Sequence, residues 1–193
     1  MTTPPTFTVG QVLTAAQMNA VGLWEIQTQT VTAQQNVDFI NVFDTDYSGY
    51  KILWHYTQNT TRGDLLFQFR DASGVMSGNN YTFGWGGSYS SSGTPLFAGF
   101  SYQTTPTSSA FVGSGAVPAN KTSGFLELQN PQFNGAVFGQ GQGASVNFSA
   151  TLLYVFVVGG ISHEIASAAR TGFRLSCSGG TMTGTFSLFG YRK

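Results

Sequence analysis

From Trp24 onward, short apolar runs alternate with clusters of Gly, Asn, Ser and Pro at intervals of about 8 to 15 residues, a rhythm that commits this part of the chain to many short strands. Candidate strands are Leu23–Val31, Asn36–Val42, Tyr50–Thr57, Leu65–Arg70, Tyr81–Trp85, Leu96–Gln103, Gly124–Leu128, Ser145–Val158 (a run long enough for two), Phe173–Ser178 and Gly184–Tyr191. In the last of these, Phe186 and Leu188 fall on one face and Thr185, Ser187 and Phe189 on the other, as a half-buried antiparallel strand requires. Such a series without long intervening helices specifies an all-β fold, an antiparallel β-sandwich or jelly roll. No repeat of fixed period is present, which disfavours a solenoid or propeller. Gly84 to Gly115 reads as long loops around one strand, GQGQG at Gly139–Gly143 as a mobile loop, and HEIASAAR at His163–Arg170 as a second short helix.

The first 23 residues differ in kind. In GQVLTAAQMNAVG, Thr14 is a good N-cap and Gln17 completes a capping box. Leu13 and Met18 stand at the two positions of a hydrophobic staple, and Gly22 is placed as the stop. Two turns of helix cannot be stable alone. The apolar residues of this arm, Phe7, Val9, Val12, Leu13, Met18 and Val21, are therefore expected to dock on the chain's own body or on a neighbour. The expected organisation is a docking arm over residues 1–23 and one β-sandwich domain over 24–193, since 193 residues are too few for two full domains.

Composition narrows the function classes. Only 8% of residues are charged, against roughly 25% in typical soluble domains, and the formal net charge is zero. With 17 Phe, 8 Tyr and 3 Trp, the chain is too aromatic for intrinsic disorder. Its eight Lys and Arg are scattered singly, which argues against nucleic acid as a partner. A single cysteine, Cys177, excludes an intrachain disulfide framework, so stability must come from packing. The longest apolar run, Leu152–Val158, is far short of a membrane span, and MTTPPTFTVG lacks the plan of a secretory signal. The expectation is a soluble protein, made in the cytoplasm and inclined to associate.

Each catalytic or ligand-binding constellation lacks a part. FDTDYSGYKILWH places Asp44, Asp46, Ser48 and Gly49 as in a calcium loop, but His55 stands where the bidentate glutamate belongs, so a turn flanked by Tyr47 and Tyr50 is the better reading. GAVPANKT at Gly115–Thr122 has Asn120 in place of an essential glycine of a phosphate loop, and the residues after it read as a strand. GQGQG is not a dinucleotide fingerprint, because no helix opens after it. No serine sits in a nucleophile elbow, and Ser167 occupies the position four beyond His163 where a zinc helix needs its second histidine. His55 is expected to be buried or packed across strands, and Cys177 to be a small core residue. No catalytic residue, cofactor or metal is expected. The aromatics are expected mainly in the core, with Tyr81, Trp85 and Tyr89 as an exposed set in YTFGWGGSYSSSG that could meet a sugar.

TFTVGQVLTAAQMNAVG resembles the N-terminal segment of tailed-bacteriophage tail-fibre and minor tail proteins, in which a short G-x-x-L-T-A-A-x-x-N-A motif precedes the main β-domain. FDTDYSGYKILWHY with the following Leu-Phe-Gln-Phe-Arg strand, and the closing SCSGGTMTGTFSLFGYRK, are similar to small phage β-sandwich domains. The resemblance implies a non-enzymatic virion structural protein, a tail fibre, knob or tip component. It would assemble as a homo-oligomer, a trimer being favoured, with other virion proteins as partners. Its outer loops, Gly84–Gly115 with Trp85 and Tyr89, and Gly135–Gly143, would be receptor candidates facing a host surface glycan or receptor. The alternatives are a head decoration or capsid fibre protein and, in another class, a carbohydrate-binding β-sandwich module.

Overall fold

A computed structural model describes residues 8–10, 12, 22–59, 61, 63–78, 80–91, 94–113, 121–133, 135–147, 152–163 and 169–192. Among them are thirteen strands: β1 (Leu23–Gln34), β2 (Asn36–Phe39), β3 (Tyr47–Gln58), β4 (Leu65–Asp71), β5 (Gly74–Val75), β6 (Tyr81–Ser91), β7 (Thr94–Thr107), β8 (Ala110–Gly113), β9 (Lys121–Gln129), β10 (Val137–Asn147), β11 (Leu152–His163), β12 (Gly172–Cys177) and β13 (Met182–Arg192). They form two antiparallel sheets. The larger has the order β1-β13-β3-β9-β10-β11-β6-β7; the smaller is β2-β12-β4, with β5 and β8 both pairing β4. The chain passes repeatedly from one sheet to the other, so that β1 and β13, far apart in sequence, lie side by side.

The all-β expectation holds, and the architecture is a sandwich of an eight-stranded and a five-stranded sheet, with a β9–β10–β11 meander in the larger. Period-two alternation explains the layering. On β3, Tyr50, Ile52, Trp54 and Tyr56 are buried while Lys51, Leu53, His55 and Thr57 alternate with them. On β13, Phe186 and Leu188 are buried, as their alternation predicts. From the small sheet, Val37, Phe39, Phe67, Phe69, Phe173 and Leu175 enter the same core. Phe173 is its hub: its ring stacks on Phe39 at 4.6 Å, on Phe67 at 5.5 Å and on Phe43 at 5.9 Å. Such aromatic pairs contribute about 0.5–1.5 kcal/mol each beyond their buried area.

Three expectations are corrected. GQGQG is no mobile loop, and Gly135–Gly143 is no outer loop: residues 137–147 form β10, hydrogen-bonded to β9 on one side and β11 on the other. Gly139, Gly141 and Gly143 are buried, while Gln140 and Gln142 are exposed, and contacts with the short strand β8 lie beside this strand. Likewise Gly84–Gly115 contains the long β6–β7 hairpin followed by β8, not loops around one strand. Finally, His163 closes β11 instead of opening a helix, and Arg170 lies in irregular chain before β12; residues 164–168 of that expected helix lie outside the described residues. The N-terminal helix, over residues 13–21, also lies outside them.

One glycine has a clear steric purpose. A Cβ on Gly124 of β9 would stand 2.6 Å from a ring atom of Trp54, which is itself only 2% exposed. The indole therefore packs where a side chain would otherwise be.

Phe186→Ala or Leu188→Ala is expected to destabilise the fold by about 2 to 5 kcal/mol in denaturant titration. A loss under about 0.5 kcal/mol, the level of ordinary surface substitutions, would contradict the packing. Gly124→Ala is expected to cost about 1–3 kcal/mol by the same measurement, because the indole must move.

Candidate functional site

The outer face of the large sheet collects side chains from strands distant in sequence. Register sets Phe189 of β13 beside Lys51 of β3, Lys51 beside Glu127 of β9, and Glu127 beside Gln140 of β10. Lys51 Nζ lies 3.1 Å from Glu127 Oε1 and 4.4 Å from the centre of the Phe125 ring. The Tyr191 hydroxyl donates to the same carboxylate oxygen at 2.7 Å. That hydrogen bond, with the Lys51 contact, holds the Glu127 carboxyl below its ordinary value against the opposing effect of burial. Burial, then the hydrogen bond and charge of Glu127, push the Tyr191 hydroxyl up to about 12. Two repeats of the pleat away, His55 Nδ1 and Ser123 Oγ are 2.6 Å apart. His55 is thus a cross-strand partner on an exposed face, and is not buried. Hydroxyls continue the face toward the sheet edge, where Thr28 Oγ1 donates to Ser187 Oγ at 2.8 Å.

This face offers a lysine, a carboxylate, a phenol and amides around a partly exposed aromatic ring. That is chemistry for holding a neutral polar ligand by hydrogen bonds and stacking. On the same face Ser123 and His55 set a hydroxyl beside an imidazole, and among the described residues no further side-chain hydrogen bond orients that ring.

A second cluster is buried. His163, at the end of β11, and Arg170 are 0% and 1% exposed. Arg170 Nη2 is 2.8 Å from His163 Nδ1, and its guanidinium also donates to the carbonyls of Phe133 and Gly135, each at 2.8 Å. It lies 5.1 Å from the centre of the Phe69 ring, and the Tyr81 ring is 4.5 Å from the imidazole. With Nδ1 accepting from the guanidinium, the neutral ring carries its proton on Nε2, an assignment made from the hydrogen-bond pattern. Burial, and then the Arg170 charge, lower the His163 pKa to about 4. The cluster ties the β9–β10 connection to the end of β11 and the approach to β12, so its role is structural. Its sequence signal was a basic residue seven positions after a histidine at the end of an apolar run.

On the small sheet, Asp38 of β2 receives Arg174 of β12 through two hydrogen bonds, 2.9 and 2.7 Å, and Arg70 of β4 at 2.8 Å. Burial alone would raise this carboxyl; the two guanidinium groups hold it below its ordinary value. Three strands are thereby clamped by one carboxylate.

The residues singled out in the sequence are not brought together. Trp85 is carried on β6, half-buried, with its ring 5.5 Å from that of Phe111 after β7, so it is not the exposed, loop-borne aromatic expected. Tyr81 is fully buried, its hydroxyl accepting from the Phe69 amide at 2.7 Å. The side chain of Tyr89 lies outside the described residues, as do Phe7, Leu13, Met18 and Val21 of the arm. Val9 and Val12 are described and fully exposed. The Asp44 carboxylate caps its own turn, accepting from the Asp46 amide at 3.1 Å, with Tyr47 and Tyr50 packed 5.6 Å apart beside it. Cys177 is buried, as expected of a core residue. Among the described residues no group of three His, Cys, Asp or Glu is placed to hold a metal ion.

No family model matches the chain, and no curated protein does. Among solved structures, the galectin LEC-6 of Caenorhabditis elegans is similar at 8% identity and a TM-score of 0.32, over 86% of this chain and 95% of that one. At those values the similarity assigns this chain neither a family nor a ligand.

Between pH 4 and 6.5 an unfolded histidine takes up a proton that buried His163 refuses, so stability rises with pH across this window. Acidification from pH 7 to 4 is expected to remove up to about 3 kcal/mol on this account. Thermal melts over that range should show the loss, and His163→Gln should flatten it.

Proposed function

We propose that the chain is a non-enzymatic structural component of a tailed-bacteriophage particle, a tail fibre, knob or tip protein. In this reading the β-sandwich is displayed and the segment before β1 docks it on other virion proteins. The observation that carries the reading is that the described apolar side chains of that segment lie outside the core. Among the described residues the core begins at Ile26. Val9 and Val12, the described apolar residues of the arm, are fully exposed. In this reading a neighbouring virion protein covers them. The arm also carries the GQVLTAAQMNA motif that resembles phage tail proteins. A surface of Ser, Thr, Asn, Gln and Gly with zero net charge suits a subunit that is locked into an assembly soon after synthesis.

A second reading, a carbohydrate-binding module, is favoured by the Lys51–Glu127–Tyr191 network beside Phe125. The two are compatible if the displayed sandwich meets a host glycan.

Deletion of residues 1–22 is expected to leave a cooperatively melting β-domain that no longer enters particles of the phage encoding it. Immunogold labelling of the full chain should mark the tail. Label on the head would select the decoration or capsid-fibre alternative. Absence of the full chain from particles would overturn the virion reading. Glycan-array binding that is lost in Lys51→Ala and Tyr191→Phe would establish the carbohydrate reading.

A further inference from the structure

Among the described residues the eight-stranded sheet ends in two edges, β1 and β7. Edge strands present unpaired amides and carbonyls, and natural proteins blunt them with prolines, bulges or charges. The two edges here differ in that respect. β7 carries Pro95 and Pro106 near its ends, and its pairing with β6 shifts register twice, between Gly86 and Ser88 and between Tyr81 and Phe83. β1 contains no proline, lysine or arginine. Its register shifts fall toward its ends, leaving Gln27–Val31 in unbroken register against Leu188–Gly184. That run reads Gln-Thr-Gln-Thr-Val: uncharged, rich in hydrogen-bonding groups and in β-branched residues suited to strands.

We propose that β1 pairs antiparallel with β1 of a second copy across a two-fold axis, so that one continuous sheet runs through both protomers. The choice of occupant follows from the other edge. Head-to-tail pairing, β1 on the partner's β7, would generate a ring or filament but needs the edge that prolines and bulges interrupt. An isologous contact uses β1 alone. Pairing about Gln29 sets Thr28 opposite Thr30 of the partner subunit and keeps the two copies of Glu25 well apart along the strands. Zero net charge removes long-range repulsion between copies.

The side chains of β1 are already disposed for this contact. Gln29 is turned away, its amide donating to the Asp38 carbonyl at 2.6 Å. Thr28 and Thr30 face Ser187 and Thr185 at 2.8 and 3.4 Å, forming hydroxyl pairs across β1 and β13. The two-fold pairing prolongs that row from Thr28 to the partner's Thr30, cross-strand contacts of the kind that stabilise sheets. The resulting assembly is a dimer in place of the trimer that the phage resemblance favours, and it does not depend on the virion reading.

The test is the mass of the full chain by light scattering at micromolar concentration. The unmodified chain and a Thr105→Lys control on the β7 edge are expected at twice the monomer mass. Thr28→Lys/Thr30→Lys is expected at the monomer mass, because the two-fold sets lysine against lysine, and Thr28→Glu/Thr30→Glu likewise. Mixing the two charged variants should restore the dimer, which also shows that both are folded. A monomeric or trimeric unmodified chain, a dimer indifferent to both charged variants, or a mixture that stays monomeric would overturn the proposal.

Discussion

The fold rests on aromatic packing between the two sheets. With one cysteine and few charges, this chain has neither disulfides nor a dense ion-pair surface to draw on. Burial of large rings is what remains to offset the conformational entropy of ordering the chain. Phe173 sits where this matters most, on the middle strand of β2-β12-β4, stacked on rings from both neighbouring strands and on Phe43 in the connection to β3. Tyr50 then closes on Phe43 from the large sheet at 4.8 Å, so a single run of rings crosses the sandwich. The Asp38 carboxylate, held by Arg174 and Arg70, fixes the same three strands from their other side.

The rings fill much of the interior, and most of the polar chemistry lies on the outer faces of the sheets, with His163 and Arg170 among the buried exceptions. The Lys51–Glu127–Tyr191 contacts draw on β3, β9 and β13, three adjacent strands of the large sheet. They are partly exposed and satisfy one another. A contact at the β1 edge would continue the outer face across the two-fold through Thr28 and Thr30, while Lys51, Glu127 and Tyr191 lie further in, on β3, β9 and β13.

Much of the strand content was legible in the sequence, since alternation is a local signal. The Phe186 and Leu188 face, the β3 and β4 strands and the Asp44 turn follow from neighbouring residues alone. The candidate site was not legible in this way: Lys51, Glu127 and Tyr191 are each unremarkable alone, and their meeting is a matter of strand order. Trp85 misled for the complementary reason. A Gly- and Ser-rich context looks like a loop, yet its backbone pairs on both sides with β11 and β7.

What the sequence by itself determined, then, is an all-β chain with an aromatic interior, inward and outward faces on the strands whose residues alternate, and a separately patterned N-terminal segment. These are consequences of residue type and of a period of two, which need no knowledge of distant partners. Only the tertiary structure decided that GQGQG is a strand and that His163 and Arg170 share a buried site. Glycine carries no side chain to announce a face, so β10 is specified by the hydrogen bonds that β9 and β11 supply. Arg170 can be buried because carbonyls of Phe133 and Gly135, more than thirty residues earlier, are folded back to receive it. Both are non-local facts: a buried polar or glycine-rich segment is stable only once its partners are in place.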